Sequence, residues 1–331
     1  MKVKYLLFFL LFFLARPLFS QDTSSVDQKK IYTFFDTLFI DHDRNNWSIR
    51  LFTNYKDNSF QLRNSEKKIE YTPNNPYGFG VGFGTRKVIL DVVFNINSRD
   101  EESTKRFDFQ SVLMLNNHNI GYTLQYYKGY NVGAENLSDF RKDIRSFSTA
   151  ISYMYLFNAA EHSMTAMRSG LARQKKPAIT FGLGGFLFLN RISADSSIIP
   201  QDKFHGYNEE IMIVDLPAIG AGVNANFSAT IPFMNHFIAS LSLTPGIGLM
   251  YQNVETESIS YHPNNPLMYH FNLVGLLGYY GKRYYVAFSS GYAVYQSSLD
   301  FGNSIMYNTT KAKLALGFKL GGNRISKDEN D

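Results

Sequence analysis

Apolar residues return at every second position through most of this chain. In YGFGVGFG, Tyr77, Phe79, Val81 and Phe83 alternate with Gly78, Gly80, Gly82 and Gly84, and a period of two sorts side chains onto two faces only in an extended strand. One face is bulky and the other is bare backbone. In KVILDVVFNIN, Val88, Leu90, Val92, Phe94 and Ile96 share one face, with Asp91, Asn95 and Asn97 beside Ile89 and Val93 on the other. In IGAGVNANFS, Ala221, Val223, Ala225 and Phe227 oppose a face that carries Asn224 and Asn226. Near the C-terminus Ala312, Leu314, Leu316, Phe318 and Leu320 oppose Lys311, Lys313 and Lys319. Similar segments lie near residues 46–55, 104–115, 119–130, 145–157, 176–190, 236–251, 267–280 and 283–296. A short helix around 159–168 is the one competitor.

The connections come in two sizes. NNHN at Asn116 and GKR at Gly281 are tight, whereas the stretch from Ser193 to Glu210 is long and polar. Short turns at one end and long loops at the other are the habit of transmembrane barrels. A soluble sandwich also alternates, but three features favour the membrane. A chain of this length without a visible domain break suits a large barrel. Tyrosines gather near strand ends (Tyr126, Tyr127 and Tyr130; Tyr279 and Tyr280; Tyr284 and Tyr285), where interfacial girdles place amphipathic rings. The lysines at 311, 313 and 319 stand opposite a purely apolar face, which suits a wet lumen opposite lipid.

The expected fold is therefore an all-β, antiparallel transmembrane β-barrel. Residues 46–321 form the barrel and 322–331 a polar tail. Tight and long connections alternate up to about residue 157, and then 159–176 breaks the parity. A strand there, or one from IYTFFDTLFID, brings the count to about fourteen, with both termini on the periplasmic side as an even-numbered barrel requires; twelve is the alternative. The N-terminal segment, 21–45, is either a first strand or a plug in the lumen, where the glycine face of 78–84 would let a backbone approach.

The chain opens MKVKYLLFFLLFFLARPLFSQD, two lysines before an apolar run and a small residue, Ser20, before Gln21. That order reads as a secretory signal peptide over residues 1–20. The run is shorter than the roughly 20 residues that span a bilayer, and no later run is long enough either. Removing Lys2, Lys4 and Arg16 takes three from the formal charge of +5, leaving +2 (5 minus 3). With 0 cysteines there is no disulfide framework, no thiolate metal site and no acylated lipoprotein cysteine. RQKK at Arg173 and TRK at Thr85 are turn-sized, too small for a nucleic-acid surface.

A hexapeptide recurs at an offset of 190 residues (261 minus 71): YTPNNP from Tyr71 and YHPNNP from Tyr261. Each copy stands before a strand that ends in a small basic turn. Pro73, Pro76, Pro263 and Pro266 enforce non-helical backbone, and Asn74, Asn75, Asn264 and Asn265 close local turns with their side chains. The motif is read as a rim element of two similar hairpins, with a ligand-binding loop as the alternative.

The succession of KKIYTFFDTLFIDHDRNNWSIRLF, YTPNNPYGFGVGF, YLFNAAEHSMTAMRSGLARQKKPAITFGLGG and YHPNNP resembles an uncharacterised family of outer-membrane barrel proteins, typical of Bacteroidota and known only as a domain of unknown function. The resemblance covers most of the mature chain and is most specific around RQKKPAITFGLGG. It implies a β-barrel in the outer membrane of a Gram-negative bacterium and brings no activity and no catalytic residues.

Chemistry is sparse. His162 and Ser163 are adjacent, so a strand points them to opposite faces, and no HExxH pattern occurs. No catalytic residue, metal ligand or cofactor is assigned. The candidate site is the lumen, lined by Asp91, Asn95, Asn224, Asn226, Lys311 and Lys313, whose charge would set preference among small solutes. A pore or transporter is the leading function. A closed structural barrel whose loops at Ser193–Glu210 or Asn131–Arg145 bind a protein partner is the alternative, and a lipid-modifying enzyme the third. N-terminal sequencing of the exported protein should begin at Gln21; a start at Met1 would refute the signal peptide.

Overall fold

A computed structural model describes residues 39–42, 47–65, 67–95, 102–134, 137–158, 168–200 and 207–321. The signal segment, the expected N-terminal segment except 39–42, the expected 159–168 helix up to 167, and the C-terminal tail lie outside these residues. In chain order the first strands are β1 (Ile40–His42), β2 (Trp47–Arg63), β3 (Lys68–Thr72), β4 (Tyr77–Thr85), β5 (Val88–Asn95) and β6 (Lys105–Leu115). There follow β7 (His118–Ala134), β8 (Leu137–Leu156), β9 (Ala172–Gln174), β10 (Ala178–Ser193), β11 (Ile213–Phe233) and β12 (Phe237–Gln252). The last are β13 (Val254–Thr256), β14 (Ser260–Tyr261), β15 (Leu267–Tyr280), β16 (Tyr284–Asp300) and β17 (Asn303–Leu320).

Twelve of these close into an antiparallel ring in the order β2, β4, β5, β6, β7, β8, β10, β11, β12, β15, β16, β17 and back to β2. They correspond one for one to the twelve alternating segments of the sequence. The ring has twelve strands, the lower of the two expected counts. The two segments that could have supplied more, at 31–41 and 159–176, contribute β1 and β9, which pair with each other and not with the ring. The parity break has the same origin, because the β8–β10 connection is a long one at the end where the others are tight.

Outward faces carry Ile49 and Leu51 on β2, Phe79 and Phe83 on β4, and Leu314 and Leu316 on β17, all exposed. On β10 the exposed apolar positions run from Ile179 to Leu189, about eleven residues, which at about 3.3 Å per residue and a barrel tilt give a belt of roughly 25 Å. Arg145 and Arg191 project outward just above it. A face this apolar on every strand belongs in hydrocarbon, so the chain is a transmembrane barrel. No helix among the described residues is long and apolar enough to cross a membrane. The tyrosine girdle is half of what the clustering suggested. Alternation splits each pair, so Tyr126 and Tyr284 are exposed while Tyr127, Tyr130, Tyr280 and Tyr285 are buried inside.

Several strands run beyond the belt at the long-loop end, β2 to Arg63 and β8 back to Leu137. There the outward face is polar, so the hydrophobic period fades before the strand ends. For the same reason 131–145 is a projecting β7–β8 hairpin and not a loop: Asn131 pairs with Phe140 and Tyr130 with Arg141. The neighbouring β4, β5 and β6 are short, and β3 fills the wall above them by pairing with both β2 and β7.

The inner face of β4 is a bed of glycines, and register explains it. Arg50 on β2 pairs with Gly82, which pairs with Asp91 on β5. One row up, Phe52 pairs with Gly80 and Gly80 with Val93. Large inward side chains of β2 lie across β4, and a Cβ at Gly80 would strike the Phe52 ring. At the end of the bed a Cβ at Gly84 would stand 3.0 Å from the Ser169 Cβ, so residues 168–171 approach the strand there. Gly80→Val should lower stability by about 1–3 kcal/mol through overpacking, read as a lower urea midpoint of the refolded barrel; an unchanged midpoint would contradict this packing.

Candidate functional site: a cationic chamber inside the barrel

Three layers fill the lumen. Towards the tight-turn end, β1 and β9 with residues 168–171 sit inside the ring. Ser48 donates a hydrogen bond to the Ser169 carbonyl (2.9 Å) and Arg50 donates one to the Arg168 carbonyl (3.2 Å). On the far side Ile40 and Ala172 pack with Ile238, Tyr280 and Tyr285. Gly170, at φ +69°, lies against the Tyr285 ring, where a Cβ would stand 2.6 Å away. The segment thus reaches from β2 across to β12, β15 and β16.

Towards the long-loop end an apolar cluster crosses the lumen. It joins Leu62, Tyr71, Tyr130 and Ile144 of the wall to Ile198, Ile199 and Ile211 of the β10–β11 connection. Its lowest layer is aromatic. Phe188 of β10 stacks on Tyr295 of β16 (4.6 Å between centroids, 5° between planes), His270 lies against the other side of the cluster on Tyr295 (4.3 Å, 22°), and Tyr307 meets Phe188 edge-on at 5.9 Å.

Between these closures lies a cavity of about 470 Å³, within the roughly 300–1,000 Å³ of small-molecule sites. One wall is charged. Asp91 accepts from Arg50 Nε (2.8 Å) and from Lys313 Nζ (2.7 Å), and Lys313 also stands 4.4 Å from the Phe52 ring centre. Asp108 pairs with Lys56 and accepts the Tyr127 hydroxyl at 3.1 Å. Arg106 donates to the Lys56 carbonyl at 3.0 Å. Lys311 lines the same cavity, sits directly opposite Lys56 across the β17–β2 ladder, and has no ion pair among the described residues. The facing wall is uncharged, with Ser148, Asn224, Asn226, Ser242 and Thr244 among its lining. Asn226 donates to both Ser242 (2.8 Å) and Thr244 (2.9 Å).

Five of the six sequence candidates, Asp91, Asn224, Asn226, Lys311 and Lys313, line this chamber. Asn95 does not. It donates to the Thr104 carbonyl at 2.8 Å and so ties down the β5–β6 connection. The sequence reading missed Arg50, Lys56, Arg106 and Asp108, although the same period exposes them: WSIRLFTNYK sets Ser48, Arg50, Asn54 and Lys56 against Ile49, Leu51 and Tyr55. It also missed the aromatic ceiling, whose members come from four separate strands.

The two hexapeptides occupy equivalent places at the long-loop end. The Pro76 carbonyl accepts from Lys56 N (2.8 Å) and the Pro266 carbonyl from Met250 N (2.7 Å), each extending the ladder to the preceding strand. Asn74 N donates to Thr104 Oγ1 (3.0 Å) and Asn264 N to Asp300 Oδ2 (2.5 Å), each binding the motif to the next connection on that rim. Asn75 donates to Ser103 Oγ at 3.2 Å, and Asn265 accepts from Leu267 N at 3.1 Å. Tyr71 is fully buried on Phe60 (4.4 Å, 8°); Tyr261 donates to the carbonyls of Glu210 and Leu299. Pro73 is buried and Pro263 exposed to an intermediate degree. The copies precede the second and tenth strands of the ring, which is not the spacing of two duplicated halves.

This geometry defines a membrane-spanning β-barrel with a filled, cation-rich lumen. The chain belongs to the family described as Domain of unknown function (DUF4421), whose model matches residues 35–320. No curated protein matches it. Solved structures with some likeness include the outer membrane protease OmpT of Escherichia coli, at 7% identity over 83% of this chain and 97% of that one, TM-score 0.33. Others are the β domain of the Bordetella autotransporter BrkA (9%, 83% and 100%, TM-score 0.37) and the Pseudomonas putida toluene transporter TodX (5%, 84% and 91%, TM-score 0.29). At TM-scores this low they carry no argument about this chain.

Replacing Asp91 by Asn should cost roughly 3–5 kcal/mol, because Arg50 and Lys313 are left as uncompensated buried cations. Chemical unfolding of the refolded variant measures it; an unchanged stability would mean that the lumen is wet enough to screen the trio.

Proposed function

We propose that this protein resides in the outer membrane and admits a small, preferentially anionic solute to the mid-barrel chamber, passing it on when one of the two closures yields. The observation that carries the reading is the chamber itself. It is a cavity of about 470 Å³ held in the middle of a transmembrane barrel, lined by apolar as well as polar side chains, with cations in excess of carboxylates on its charged wall. A barrel of twelve strands lies between those whose side chains fill the interior, at about 8 strands, and the open aqueous channels at 16 to 18, which suits selective and gated passage better than free diffusion. Charge lining a narrow path sets which ions enter it.

One observation favours a second reading, a closed barrel that presents its loops to a protein partner. The loops at the far rim are braced: Arg141 holds Asp143 in a two-pronged pair (2.8 and 2.7 Å) and donates to the Ser197 carbonyl (3.0 Å). That pairing holds the Asp143 carboxyl below the usual carboxylate range. A surface so fixed is ready to be recognised with little ordering cost.

Planar-bilayer recording separates the two. The native barrel should open rarely and with anion preference. Phe188→Ala with Tyr295→Ala should raise open time by thinning the ceiling, and Lys311→Glu with Lys313→Glu should shift selectivity towards cations. Silence from all of these proteins, each shown to be folded and inserted, would leave the closed barrel.

A further inference from the structure

We infer that the chamber binds an anionic carbohydrate, a hydroxylated ring carrying a carboxylate or a phosphate. The inference rests on the reading of the chamber as a solute site and names the class of solute.

Three surfaces meet there, and each asks for a different part of such a ligand. The first is the unpaired cation. Lys311 extends over Gly291, where a Cβ would stand 2.9 Å from its Cε, so the glycine is what lets the ammonium lie along the wall. With Asp91 and Asp108 already engaged by Arg50, Lys313 and Lys56, no other carboxylate among the described residues lines the chamber to meet Lys311. A half-buried ammonium without a counter-ion is retained at a cost unless an anion meets it, and a carboxylate or phosphate supplies a charge-assisted partner.

The second is a set of unmet polar atoms. Asn224 is 7% exposed, and its Oδ1 has no hydrogen-bond partner; neither has His270 Nδ1. Both border Gly246, where a Cβ would stand 3.1 Å from the Asn224 Cβ and 3.3 Å from His270 Nδ1. A buried amide oxygen without a donor costs about 1–3 kcal/mol. Both side chains line the chamber, and a turn of either towards the cavity would bring its unpartnered atom to a ligand hydroxyl, beside the hydroxyl and amide surface that Asn226, Ser242 and Thr244 form by hydrogen-bonding among themselves.

The third is the ceiling. Tyr295, His270 and Phe186 present ring surface to the cavity. Aromatic faces take the C–H side of a sugar ring, whose axial hydrogens carry partial positive charge against the negative π face. A hydrocarbon would leave Lys311 and the Asn224 oxygen without partners, and a small inorganic anion would leave the ceiling and Asn224 unused. The cavity is large enough for a one- or two-ring ligand.

The test is equilibrium dialysis of the full mature chain, refolded in detergent in the presence of ligand so that no closure has to open. The probes are glucuronate, glucose 6-phosphate, glucose and inorganic phosphate. Expected is retention of one or both acidic sugars, with glucose and phosphate each about tenfold weaker or more. Which acidic sugar is retained distinguishes the carboxylate from the phosphate source. Lys311→Met should weaken retention about tenfold while Lys311→Arg restores it, and Asn224→Leu should weaken it with the heat-dependent gel shift of the folded barrel intact. Retention of no sugar, of glucose as tightly as glucuronate, or of acidic sugars equally by Lys311→Met would overturn the inference. Conductance without saccharide binding would do so while sparing the channel; binding without conductance would spare this inference and overturn the channel.

Discussion

Every backbone N–H and C=O in a strand that crosses a bilayer must find its partner inside the protein, because hydrocarbon offers none. The β17–β2 ladder meets that demand for the whole molecule. Leu320 pairs with Trp47 and the register runs without interruption to Ser304 and Arg63, so the last strand covers the edge of the first and the sheet has no free edge in the membrane. Closure also fixes which side of each strand is inside. Once Lys311 is opposite Lys56 and Ala315 opposite Phe52, the period of two commits every other residue to lipid or to lumen, and a slip by one residue would bring the lysines into the bilayer.

The glycine bed of β4 follows from that commitment. Arg50, Phe52 and Asn54 all point inwards on one strand, and their length is accommodated because the adjacent strand offers no side chains on that face. Gly82 lets Arg50 reach Asp91, two strands away, and Lys313, on the strand beyond β2, reaches the other oxygen of the same carboxylate. The charged wall is thus made by a neutral, featureless strand. The plug depends on the same group, since the Arg50 guanidinium that holds Asp91 also donates to the Arg168 carbonyl. Charge pairing in the wall and seating of the plug are two uses of one side chain.

The ring of strands was legible in the sequence because lipid on one side and a packed or wet interior on the other impose a strict alternation, visible in YGFGVGFG and in KAKLALGFKL alike. Lumen residues were legible where that alternation set a charge against apolar neighbours, as at Lys311 and Asp91. Where it did so at Arg50 and Lys56 the same signal was present and went unused. Strand ends were less legible: β2 and β8 continue past the belt, where both faces are polar and the period carries no contrast. The ceiling was not legible at all. Phe188, His270, Tyr295 and Tyr307 look like any alternating residue until closure sets β10 across from β16, and no local pattern encodes a contact across a lumen. The hexapeptide was legible as a rim device, while the partner of each central asparagine, Thr104 in one copy and Asp300 in the other, depended on the next connection in space.

The central claim is that the chamber lies between an aromatic ceiling and the β1–β9 segment, which together restrict access to it. The chain has 0 cysteines, so a single thiol can report on it. Ser289 lines the chamber and is replaced by Cys with little change in volume. The rate at which Ser289→Cys reacts with a charged methanethiosulfonate in the refolded barrel is the measurement. The account predicts slow or no reaction in the intact protein and rapid reaction once Phe188→Ala is added; rapid reaction in the intact barrel would mean an open pore and would contradict it.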